Sequence, residues 1–195
     1  MLLSERYQYD SSLSKPAKRR PHPLPNRLRT LLGQHFDVDP RHVHGYVIGE
    51  HGDSEVLVWS QTTIAGLSLD EFAKVQNKPL TAEHRQQIDE QVRRAAYHII
   101  ERKGATYYAV AAGLLRILEA ILRDQATVLS VSSVLPPRYG LTDVSLSVPT
   151  VVTRNGIERV LYLPLDPEET AAFRRSGEVV QRTIASLDVD ARRRD

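Results

Sequence analysis

The sequence predicts an α+β domain: an antiparallel sheet with long packed helices. Three observations carry this. Candidate strands and helices come in runs rather than in strict alternation, which favours α+β over α/β architecture. Across 82–102 the apolar residues Ile88, Val92, Ala95, Ala96, Ile99 and Ile100 recur every three to four positions, the mark of one buried helical stripe. Three β-rich stretches, TVLSVSSVL, LTDVSLSVPTVVT and GIERVLYLPL, follow one another, with the Pro136-Pro137 pair and RNG as turns.

In chain order, residues 1–25 are polar and hold four of the eleven prolines, Pro16, Pro21, Pro23 and Pro25. They show neither periodicity and read as a disordered or poorly packed segment. The folded domain is expected over 26–187, with 188–195 a charged tail. Asn26 suits an N-cap for a first helix, NRLRTLLGQHF, with Gly33 near its far end. A strand is expected at about Val43 to Ile48, then the turn GEHGDS. EVLVWSQTTIAG is β-rich enough to form a second strand. SLDE, from Ser68 to Glu71, is a capping box opening a short helix. The striped helix follows and ends at Lys103-Gly104. TYYAVAAGLLRILEAILRD is apolar nearly all round, so it belongs in the core or between subunits. DPEE, from Asp166 to Glu169, starts a last helix: a capping aspartate, proline in the first turn, then acids at the positive end of the dipole. That helix is expected to run to about Leu187.

Composition narrows the function classes. A chain of 195 residues holds one sizeable core. Its 41% hydrophobic and 26% charged residues are ordinary for a soluble globular protein. No apolar run spans a bilayer, and MLLSERYQYDSSLSK lacks the apolar centre of a signal peptide. The default location is the cytoplasm, with no membrane partner. The absence of cysteine excludes disulfides and thiolate metal sites. The net charge is +2, and basic runs lie at the two ends, as KPAKRR and RRRD. Neither run interleaves aromatic residues, so both read as solvated tails and no nucleic-acid partner is expected.

The chemistry centres on IGEHGDS. His51 follows a strand, stands between Gly49 and Gly52, and has carboxylates at Glu50 and Asp53. A ligand can approach such a turn closely, and imidazole exchanges a proton near neutral pH. A water-satisfied polar residue on a tight turn fits the same spacing equally well. A metal site is disfavoured: His42 and His44 share one face of the expected strand near His51, yet there is no HExxH.

The wording of several stretches goes further. RLRTLLG, VHGYVIGEHGDSEVLVWS, RAAYHIIERKGATYY and YGLTDVSLSVPTVV closely resemble the C-terminal half of the bacterial L-lactate dehydrogenases. GEHGDS and KGATYY, in this order and at this separation, are specific to the lactate/malate dehydrogenase superfamily, and the flanking wording favours the lactate branch. The resemblance implies a lactate/malate dehydrogenase C-terminal-like fold and interconversion of pyruvate and L-lactate with NAD. His51 matches the family's proton donor and acceptor. Arg27 matches its substrate-anchoring arginine, whose planar fork grips a carboxylate through two parallel bonds. Thr106 matches a residue lining the substrate pocket, and also suits a helix N-cap. Arg29 and His44 match the pair that binds fructose 1,6-bisphosphate between two-fold related subunits in the allosteric enzymes of a family that forms homo-oligomers.

Two family features are not found. The family's aspartate that orients the catalytic ring lies three residues before the anchoring arginine, where this chain has Leu24. Leucine can neither fix the tautomer nor offset an imidazolium charge. Glu50 and Asp53 are poor substitutes, because neighbouring residues on a strand point to opposite faces. No GxGxxG occurs in the 195 residues, so the Rossmann domain that binds NAD is expected to be absent, through a coding-frame break, gene truncation or natural domain loss. The isolated chain is then expected to be inactive or nearly so. The competing expectations are a phosphate-binding or oligomerisation module, a malate dehydrogenase-type fragment, and a poorly folded remnant whose apolar face has lost its cover.

Overall fold

Helix α1 (Arg27–Phe36) buries Leu28, Leu31, Leu32 and Phe36, residues spaced three and four apart along one face. In this computed structural model residues 27–104, 107–137 and 139–192 are described. Asn26, Leu24 and Thr106, and the segment assigned to 1–25, lie outside the described residues. Gly33, expected near the end of α1, lies within it. The helix instead ends where Asp37 takes a left-handed φ of 55° and the Val38 N–H reaches back to the Gly33 carbonyl at 2.9 Å. Gly33 serves another need: a Cβ there would stand 2.8 Å from the Val38 carbonyl oxygen.

The strand expected over 43–48 is two strands in different sheets. A 3₁₀ turn (Pro40–His42) leads into β1 (Val43–His44); the chain then bends and resumes as β2 (Val47–Ile48). EVLVWSQTTIAG likewise divides, between β3 (Val56–Leu57) and β4 (Thr63–Ile64), with β5 (Leu67–Ser68) after it. One sheet has the order β1-β4-β5, and β2 pairs with β3 in a separate hairpin. A third sheet holds β6 (Thr127–Val134), β7 (Ser145–Thr153) and β8 (Gly156–Val160) in that order. Among the described residues every pairing is antiparallel, as expected, but three small sheets replace the single one. Gly49 joins the hairpin to β7 through two main-chain bonds with Ser147, each 2.8 Å.

Helix α2 (Leu69–Val75) opens with the predicted capping box: Ser68 Oγ accepts the Glu71 N–H and Glu71 Oε2 accepts the Ser68 N–H. The striped helix is two helices, α3 (Ala82–Arg93) and α4 (Ala95–Lys103), interrupted at Arg94. Gly104 closes α4 with a φ of 75°, as its position predicted. The stripe is buried at Ile88 and Val92, but Ile99 and Ile100 beyond the break face solvent. Helix α5 (Tyr107–Leu122) is not a core helix. Ala120 is its one buried residue among those described, while Tyr108 is 83% and Leu122 78% exposed. Helix α6 (Pro167–Arg192) runs past the expected end at Leu187. None of the described helices is long and apolar enough to cross a membrane.

The core has two parts. Leu28, Leu32, Val43, Ile64 and Phe72 pack α1 and α2 against the first sheet. Val58, Val144, Leu146 and Phe173 pack α6 against β7 and the hairpin. The β2–β3 hairpin therefore stands where the second core meets the third sheet, and its turn carries His51.

Candidate functional site

The turn between β2 and β3 is fixed from three sides. The Glu50 N–H donates to Ser176 Oγ of α6 at 2.7 Å. Gly49, at a φ of 94°, makes this approach possible, since a Cβ there would lie 2.6 Å from the same oxygen. Within the turn, Glu50 Oε2 accepts the Ser54 hydroxyl at 2.7 Å and the Ser54 N–H at 3.2 Å. Gly52 packs on the Glu50 carboxylate so closely that a Cβ would overlap it. From α3 and α4, Arg93 Nη1 donates to the Asp53 carbonyl at 2.7 Å and Tyr97 Oη to the Asp53 carboxylate at 2.9 Å. His51 stands exposed on this braced turn.

The carboxylates beside His51 have separate duties. Glu50 closes the turn and Asp53 meets Tyr97, so neither is arranged as the ring's orienting partner. Glu55 is half-buried, and burial pushes its carboxyl above the usual range while Arg93 and His51 pull it back. Tyr97 is held above the usual phenol range, first by its hydrogen bond to Asp53 and then by that residue's charge.

Arg27 is the exposed first residue of α1. Arg29, expected with His44 to contact an effector, has Nε on the Pro40 carbonyl and Nη2 on the Arg41 carbonyl, both at 3.3 Å. Burial lowers its pKa, opposed by Tyr46. The same turn is capped by Asp39, which accepts the Arg41 N–H at 2.9 Å and pairs with the Arg41 guanidinium at 2.7 Å. Those bonds hold the Asp39 carboxyl down to about 2. His44 follows on β1, exposed. His42 does not share a strand face with His44, because it belongs to the 3₁₀ turn. Among the described residues there is no cluster of three metal-ligating side chains.

A dinucleotide is held where a parallel strand runs into a helix across a glycine-rich turn. The described strands pair only antiparallel, so they do not form that cradle. Sequence reasoning missed Ser176, Glu55, Arg93 and Tyr97. Ser176 is 126 positions from Glu50, and nothing local announces that contact. Arg93 and Tyr97 read as ordinary polar positions on a striped helix.

Residues 25–188 match the family described as lactate/malate dehydrogenase, alpha/beta C-terminal domain. An L-lactate dehydrogenase of Thermoanaerobacter sp. (strain X514) is 54% identical over 163 residues, covering 84% of this chain and 52% of that protein. One from Thermus aquaticus is 49% identical over 161 residues, covering 83% and 52%. Among solved structures, the minor L-lactate dehydrogenase from Enterococcus mundtii in a ligands-bound form superposes with a TM-score of 0.76 at 39% identity, covering 85% of this chain and 51% of that one. A lactate dehydrogenase enzyme from a Medee basin deep-sea metagenome library gives 0.80 at 30% identity, covering 84% and 52%. The chain spans about half the length of the curated relatives it matches. With the antiparallel fold, the braced His51 turn and these likenesses together, the chain belongs to the lactate/malate dehydrogenase family, through its alpha/beta C-terminal domain.

Proposed function

We propose that this chain is the substrate-binding and proton-transfer half of an NAD-dependent L-lactate dehydrogenase, an oxidoreductase interconverting pyruvate and L-lactate in the cytoplasm. The observation that carries the reading is the GEHGDS turn, braced on three sides with His51 exposed, in a chain 54% identical to an L-lactate dehydrogenase. Residues 26–187 form the working unit. Arg27 grips the substrate carboxylate through its planar fork. Thr106 lines the pocket. In pyruvate reduction the His51 imidazolium gives its proton to the carbonyl oxygen; in lactate oxidation the neutral ring takes the hydroxyl proton. Leucine at position 24 deprives the ring of its family partner. In another enzyme class, neutralising such a partner cost about four decades in rate.

The exposed apolar side of α5 supports a compatible second reading, that this half works by assembling with a nucleotide-binding half or with further copies. Arg29 and His44 are the proposed contacts for fructose 1,6-bisphosphate in such an assembly. Oxaloacetate, the substrate of the malate branch, is the alternative 2-oxo acid.

The test is NADH oxidation with pyruvate and with oxaloacetate. The 195-residue chain is assayed alone and mixed with the separately produced nucleotide-binding half of a related L-lactate dehydrogenase. The expected result is background turnover alone and pyruvate-selective turnover in the mixture, abolished by His51→Gln. No turnover in the mixture, turnover indifferent to His51→Gln, or preference for oxaloacetate overturns the reading.

A further inference from the structure

Two side chains flanking the α3–α4 break converge on one residue of the His51 turn. Tyr97 Oη lies 2.9 Å from Asp53 Oδ1 and 3.1 Å from Oδ2, donating to the carboxylate. Arg93 Nη1 donates to the Asp53 main-chain carbonyl at 2.7 Å. Arg93 is itself aimed, with Nε and Nη2 on the two oxygens of Asp89 at 2.6 and 3.1 Å, a two-point grip one turn back along α3. Arg93 and Tyr97 are four residues apart and straddle Arg94, where the helix is interrupted. Asp53 is two residues beyond His51, and α4, which carries Tyr97, ends at Lys103 with Gly104 as its C-cap.

We propose that Tyr97 and Arg93 are positioning residues that, through Asp53, fix where His51 stands relative to α3 and α4. The functional consequence rests on the His51 reading above. The Tyr97 side chain is solvent-exposed, so its bond competes with water and adds little to global stability. Its effect is local order: a turn already anchored at Gly49 and Glu50 gains a second anchor, at Asp53, on a helix. The raised phenol of Tyr97 agrees, because ionisation would set two negative charges together.

The experiment is residue-resolved amide hydrogen exchange on the 195-residue chain, with His51 ring-proton NMR, for wild type, Tyr97→Phe and Tyr97→Phe/Arg93→Gln. Tyr97→Phe should raise exchange at 51–55 roughly three- to tenfold and leave the thermal midpoint nearly unchanged. The double variant should raise it further. The His51 ring signal should move while those of His35 and His84 stay put. Unchanged protection at 51–55, or protection lost evenly through the chain, overturns the proposal; if the double variant does not fold, Tyr97→Phe alone decides. Exchange needs no turnover. A protected turn in a chain that stays silent even when mixed with the nucleotide-binding half therefore sinks the enzymatic reading and leaves the positioning role standing.

Discussion

The buried hydroxyl of Ser176 accepts the Glu50 main-chain N–H at 2.7 Å, tying α6 to the turn that carries His51. Ser176→Ala leaves that N–H without its acceptor, at a cost of about 1–2 kcal/mol. Gly49→Ala should cost more, because it adds a side chain at a φ of 94° and drives its Cβ onto the Ser176 oxygen. Urea denaturation of both single variants and the pair checks this. The pair should fall short of the sum, since the first substitution removes the atom that the second strikes.

Glu169 is a second long-range tie. It is 6% exposed, and its carboxylate accepts the Ser60 N–H at 2.9 Å, the Ser60 hydroxyl at 2.5 Å and the Asp166 N–H at 3.2 Å. Asp166 returns the favour by accepting the Glu169 N–H at 2.7 Å, a reciprocal cap on α6. Glu169→Gln keeps the shape but replaces one acceptor oxygen by a donor. The expected loss is about 1–3 kcal/mol by chemical denaturation, with the helix content at low denaturant unchanged.

These two ties mark what the sequence could disclose. Local rules found the Ser68 capping box, the Asp166 helix start, the Gly104 stop and the Arg154-Asn155 turn, because each is settled within a few residues. The periodic stripe correctly named Ile88 and Val92 as buried but also promised Ile99 and Ile100, which are exposed. Periodicity says that a face is apolar; it does not say what covers it. The strand over 43–48 was over-read because each half pairs in a different sheet, and pairing is a tertiary fact. The GEHGDS turn after the strand was legible from its motif. Ser176, Glu55, Arg93 and Tyr97 were not, because their value comes from contacts across 38 to 126 positions of chain, as Arg93–Glu55 and Ser176–Glu50 illustrate.

Acid should loosen the α1–α3 contact. The His35 ring lies 4.7 Å from both the Phe36 and His84 rings, and its Nε2 is buried without a hydrogen-bond partner. Burial first, then His84, hold its pKa below 6.5; Lys78 adds to this, while the Pro79 carbonyl and Asp37 oppose it. A histidine whose folded pKa is depressed contributes stability above its unfolded value, and that stability is lost as pH falls through the folded value. The thermal midpoint should therefore drop between pH 6.5 and 5, and His35→Gln should flatten that drop. The ring is partly exposed, so the effect should stay below about 1 kcal/mol.

Glu55 carries the opposite sign. Burial raises its folded pKa above 4.5, against Arg93 and His51, which lower it, and with Asp89 and Glu50, which raise it. A carboxyl that binds its proton more tightly when folded contributes stability below its unfolded pKa, and loses it as pH rises through the folded value. Glu55→Gln removes the charge that burial penalises. It should leave stability unchanged near pH 4 and raise it near pH 8, by less than about 1 kcal/mol given partial exposure. Urea denaturation at those two pH values is the measurement. The same balance offers a check on the turn itself. His51→Gln deletes one of the two positive groups opposing burial, so the Glu55 carboxyl should titrate higher in that variant, read from its carbon-13 signal. An unmoved Glu55 titration would mean that the imidazole and this carboxyl do not sense each other across the turn.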